Sequence, residues 1–225
     1  MSSGRGGTLA TVIGLLSNNV SFSLTTHRMW VSVDRDITGE TRNYDLSKDC
    51  STSPKFLEYH WEMSHDESND WLSRVRHAHT SGSHGSPFAM ALDEIRAGRK
   101  TSHWVWYVFP QIEGLGTSPM NQLFAVSTVE DARQFLADDI VGTNFEIILE
   151  AAVNHLESGS SLAGLMNGDE QKFVSSLTLM RNMADKPEQI DLTRRAILLV
   201  GAQGFSPCRT TLRWLDERGI SQPAD

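Results

Sequence analysis

From residue 86 onward, apolar positions recur every three or four residues, and most runs open and close on a recognisable signal. Ser86-Pro87 offers a hydroxyl cap followed by proline at the first helical position, where no amide partner is needed. Phe88, Leu92 and Ile95 follow at helical spacing, and Gly98 supplies the stop. Ser127-Thr128-Val129-Glu130 reads as a capping box leading into Ala132, Phe135 and Leu136. Phe145, Ile148, Leu149, Ala152 and Leu156 share one face of a helix over 143–156, and 160–166 reads as a short helix. Phe173, Leu177, Met180 and Ala184 space a helix over 169–184. Pro187 opens another that is apolar through Ile197, Leu198 and Val200, and Ser206-Pro207 starts a last one through Trp214 and Leu215. Upstream, 71–79 predicts a first helix, ended by the flexible run 80–86. The expected fold class is all-α, a compact multi-helix bundle with short connections over 69–225.

Before residue 69 the pattern weakens. Trp30-Val31-Ser32-Val33 alternates as a short strand does, 36–43 is rich in turn residues, and Phe56, Leu57, Tyr59 and Trp61 could form one amphipathic helical turn. Residues 1–68 are therefore expected to be a weakly structured extension, irregular or disordered, rather than a second domain.

Composition changes this picture only by exclusion. The 225 residues carry a formal net charge of −8. Residues 1–70 hold 6 basic and 10 acidic groups and the remainder 14 and 18, so neither end is a charged tail. That balance argues against a nucleic-acid polymer as partner. The apolar run 8–16 is too short to span a bilayer, and no small-residue cleavage site follows it, so no membrane association is expected. Cys50 and Cys208 are read as reduced thiols of a cytoplasmic protein. No Gly-rich phosphate loop or dinucleotide fingerprint appears, and no cofactor is expected. The histidines at 60, 65, 77, 79 and 84 lack zinc-ligand spacing, and on a helix His77 and His79 point apart.

Candidate chemistry concentrates in 96–111, RAGRKTSHWVWYVFPQ. Arg96, Arg99 and Lys100 could clamp an anion, although cations also suit the carbonyl end of a helix. His103 is the candidate general base or proton shuttle, weighed against a hydrogen-bonded structural histidine. Trp104 and Trp106 could stack on a flat ring, though aromatics at this density also fill cores. Gln111 could orient a ligand amide. A second cluster, Lys172, Ser176 and Arg181, could complete a polar pocket if the fold brings it close. Small hydroxyl residues also permit close helix packing, and no Gly-x-Ser-x-Gly elbow marks a hydrolase serine.

The stretch 91–111, with Gly114-Leu115-Gly116 and Ser118-Pro119-Met120, resembles a bacterial-type family, the domain of unknown function numbered eighteen-ten. Ala132-Arg133-Gln134-Phe135-Leu136-Ala137, and Lys172 with Ser175-Ser176-Leu177-Thr178-Leu179, extend the likeness over about 70–218. The resemblance implies a mainly helical domain and assigns no reaction. Members are sometimes labelled calpastatin. Calpastatin inhibits calpain as a long disordered chain, whereas this region is patterned to fold, so the label is not carried over. The chain departs from the family pattern at Phe124, where tyrosine is more usual, and at Leu177, where methionine is; 80–86 looks inserted.

Two function classes follow. The first is a domain binding a small anionic or nucleotide-like ligand, with catalysis left open. The second is a non-catalytic protein-interaction module using the same surface.

Overall fold

The computed structural model describes residues 70–81 and 86–221 in full, together with the backbone of four strands upstream. The chain divides into two compact units, Met1–Glu62 and Met63–Asp225. In the first, β1 (Gly14–Leu16), β2 (Val20–Thr25), β3 (Arg28–Asp34) and β4 (Thr41–Asp45) form an antiparallel sheet in the order β1-β2-β3-β4. The strand expected at Trp30 to Val33 falls within β3, whose Trp30 pairs with Ser23 and whose Val33 pairs with Val20. The other three strands are not among those expected from the sequence. The overlooked signal is Val20-Ser21-Phe22-Ser23-Leu24-Thr25, six residues of strict apolar–polar alternation. The amphipathic turn expected at 56–61, Cys50 and residues 8–13 of the apolar run lie outside the described residues.

The second unit is helical: α1 (Trp71–Thr80), α2 (Pro87–Arg96), α3 (Val105–Val108), α4 (Pro119–Phe124) and α5 (Val129–Ala137), then α6 (Val141–Glu157), α7 (Leu162–Met166), α8 (Glu170–Met183), α9 (Pro187–Ala202) and α10 (Arg209–Asp216). Local chemistry sets most of these starts. Ser86 caps α2 through the Ala89 amide (3.1 Å). Ser118-Pro119, noted from sequence only within the family likeness, caps α4 in the same way. The capping box stands one residue later than expected: Thr128 is the cap and Asp131, not Glu130, reaches back to its amide. Ser206-Pro207 does not start α10. The Cys208 amide is spent on Thr178 Oγ1 (2.9 Å), and the helix begins at Arg209. Gly98 closes α2 with φ +82°, and a Cβ there would press on the His155 ring at 3.3 Å.

The core lies where α6, α8 and the 96–111 segment meet. Phe109 sits edge-on to Phe145 (5.9 Å) and to Phe173 (4.8 Å), with Trp104 tilted against it at 6.1 Å. Gly142 allows α6 to start flush against α5, since a Cβ there would collide with the Leu136 carbonyl oxygen. α9 runs beside α6 in the same direction. Gln189 donates to Glu146, Arg195 pairs with Glu150 and Glu157, and Gln203 accepts from the Leu162 amide, so positions on both strands of contact rise together. Among the described residues no helix is long and apolar enough to cross a membrane.

Candidate functional site

The 96–111 segment is shaped by a carboxylate that the sequence reading does not select. Glu94, near the end of α2, accepts from the Thr101 amide (2.7 Å), the Ser102 amide (3.0 Å) and the Trp104 indole N–H (2.8 Å). Burial would push this carboxyl up. The donors outweigh it and hold the group down at about 2. The chain is thereby folded back on itself between α2 and α3, and Trp104 is driven fully inward.

A second carboxylate then ties this segment to α8. Asp169, directly before α8, meets Lys100 Nζ at 2.6 Å and Lys172 Nζ at 2.5 Å. Lys100 is buried, its side chain 7% exposed, whereas Lys172 is 38% exposed. Lys100 Nζ also donates to the Ser102 carbonyl (2.6 Å) and lies 5.4 Å from the Trp104 ring centre. Burial raises the Asp169 carboxyl, but hydrogen bonds and charge from the two lysines prevail and keep it below its ordinary value. Because both oxygens serve lysines, Asp169 makes no side-chain cap to α8. Asn167, in the left-handed region at φ 50°, completes the seam: it accepts from Arg99 (2.8 Å) and donates to the Lys100 carbonyl (3.1 Å).

Lys172 Nζ rests 5.0 Å from the Trp106 ring centre, and the Trp106 ring stacks beside His103 with centroids 6.3 Å apart. Trp106, His103 and Lys172 are all half-buried. The fold thus brings the two predicted clusters together, through Lys100, Asp169 and Lys172.

Other predicted residues have different places. Trp104, Gln111 and Ser176 are buried among the packed elements. Gln111 donates to the Phe109 carbonyl (2.9 Å) and holds the turn after α3. The Ser176 hydroxyl is buried without a hydrogen-bond partner, one helical turn beyond Lys172. Arg181 lies about two and a half turns beyond Lys172 on α8 and is half-buried. Arg96 turns to another face, where it lines an open groove of about 780 Å³ between α6 and α9.

Sequence reasoning missed Glu94, Asp169 and Asn167. Glu94 stands two residues before Arg96 and Asp169 three before Lys172, so both were adjacent to selected cations. What was not legible was their reach, since the Asn167 to Lys100 bond alone spans 67 positions.

The family described as "Protein of unknown function (DUF1810)" matches residues 72–197. The chain belongs to this family. The matched region starts in α1 and ends within α9, so it contains Glu94, the whole 96–111 segment, Asp169 and Lys172. Among solved structures the chain is similar to the conserved hypothetical protein Rv1873 from Mycobacterium tuberculosis. The two are 28% identical with a TM-score of 0.53, over 64% of this chain and 94% of that one. No curated protein matches the chain.

Proposed function

We propose that the helical unit binds a small anion carrying a flat ring, at the junction of the 99–106 segment with the start of α8. The observation that carries this reading is the sharing of one carboxylate, Asp169, by two ammonium groups. The Lys100–Asp169–Lys172 triad keeps one net positive charge, and it presents Lys172, the more exposed of the two, beside an aromatic ring. Two further features support it. The start of α8 lacks a side-chain cap, which leaves its positive dipole end without that acceptor. Trp106 and His103 offer a stacked aromatic surface at the same place. In this arrangement Lys172 meets the anion, Trp106 the ring, and His103 supplies an imidazole at the rim. Lys100, Trp104 and Gln111 hold the frame.

The test is a thermal-shift screen of the full chain against nucleotides, sugar phosphates and simple carboxylates, followed by titration of any hit. A ligand that stabilises the native state raises the midpoint by mass action. Lys172→Gln and His103→Gln should fold as the parent does and lose that shift. A panel with no hits, or a hit bound equally well by both variants, would remove the reading. His103→Gln also separates its two roles, because a structural histidine would show itself as a lower melting temperature with affinity unchanged.

A further inference from the structure

The groove between α6 and α9 lies on a different face of the bundle helices from the site above, and its chemistry has the opposite sign. Ile147 and Leu192 line it, and Ile147 is 41% exposed although it is a large aliphatic side chain. Four carboxylates line the groove with them, Glu146, Glu150, Glu188 and Asp191. Arg195 is engaged by Glu150 at 3.4 Å and by Glu157 at 2.9 Å, and with Arg96 also counted the carboxylates and guanidinium groups of the lining sum to a net charge of −2, four against two. The helical spacing 191, 195, 198 places Leu198, 61% exposed, on the same stripe of α9. Over 188–198 that stripe runs about 15 Å, close to three helical turns.

An apolar floor between acidic rims, on two helices running side by side, has the form that receives the apolar face of a helix whose flanks are basic. We infer that this groove docks a basic amphipathic helix of a partner protein. Two other occupants are disfavoured by charge. A second copy of this chain brings a net charge of −8 to an acidic face, and residues 1–70 of the same chain hold 10 acidic against 6 basic groups. The inference does not depend on the anion site, because only Arg96 of the predicted residues reaches the groove.

The experiment titrates the full chain into a labelled synthetic three-turn peptide, with leucine at i, i+3, i+4 and i+7 and lysine elsewhere, read by fluorescence anisotropy. A scrambled peptide of the same composition serves as comparison. The patterned peptide should bind at least about tenfold more tightly than the scrambled one. Ile147→Asp, and separately Glu188→Gln with Asp191→Asn, should each weaken it by about tenfold or more. All three positions are exposed, so circular dichroism and melting should match the parent. Equal binding of the scrambled peptide, or insensitivity to both sets of substitutions, would overturn the inference. So would sedimentation showing self-association that Ile147→Asp abolishes, since the occupant would then be a second copy.

Discussion

The Asp169 junction and the α6–α9 groove both gather charge, yet they treat it differently. At the junction each carboxylate is saturated: Glu94 by three N–H donors and Asp169 by two ammonium groups. In the groove Glu188 and Asp191 stay exposed. The difference follows from burial. A half-buried carboxylate must be paired or hydrogen-bonded to remain ionised, whereas a solvated one is stable alone. Charge at the junction is therefore tied to the stability of the fold, and charge in the groove is free to be spent on recognition.

That contrast can be broken most forcefully at Asp169. Asp169→Ala leaves the Lys100 ammonium buried without its carboxylate, and should destabilise the domain by about 3–5 kcal/mol in denaturant unfolding. A loss under about 1 kcal/mol would show that the junction is no more structural than the groove. The next effect is set by pH. His79 is buried, and because the Tyr107 carbonyl can only accept, Nε2 donates to it (2.9 Å) while Nδ1 accepts from Asn144 (3.2 Å). Burial chiefly lowers this histidine from 6.5 to about 4, against the smaller opposing pull of the Tyr107 bond. Between those values the unfolded chain binds the proton and the native one does not, so stability should be complete above about pH 6.5 and fall as pH drops toward 4. In His79→Gln the unfolding midpoint should lose that slope; an unchanged slope would assign it elsewhere.

Glu94→Ala sharpens the comparison from the other carboxylate. It strands two amides and an indole N–H, and should cost about 1–3 kcal/mol, with the Trp104 environment loosened in near-ultraviolet circular dichroism. Wild-type stability in that variant would mean that the segment holds its shape without the carboxylate. The depressed carboxyl adds a sign: its contribution is present above the ordinary value of 4.5 and is lost as pH falls toward about 2. The smallest effect belongs to the surface. Glu188→Gln should change stability by no more than about 0.5 kcal/mol, as exposed substitutions do. A larger loss at Glu188 would place the groove within the fold's own support.

The helix start at Ser86 was legible in the sequence because cap and amide lie three residues apart. The register of the capping box was not, since Glu130 and Asp131 are both acids within reach of the same end. The 96–111 segment shows the limit most clearly. Trp104 and Trp106 are indistinguishable by spacing, yet one is buried and the other faces Lys172. What separates them is Glu94, which captures one indole through a turn that no periodicity encodes. Side-chain chemistry located this segment and chose its cations, and the likeness to the family covers it. Its organising carboxylates became visible only with the fold.

The parallel course of α6 and α9 has a consequence for the order in which the molecule acquires its surfaces. Two neighbouring helices can point the same way only if the chain returns between them, here through α7 and α8, and Gln189 meets Glu146 across 43 positions. Contacts of such separation bear loop-closure entropy before they are rewarded. On a ribosome, α6 emerges before α9, so the groove has no second wall until α9 has been made. A partner that needs both walls can engage only the completed domain, and a nascent or truncated chain ending before α9 is invisible to it.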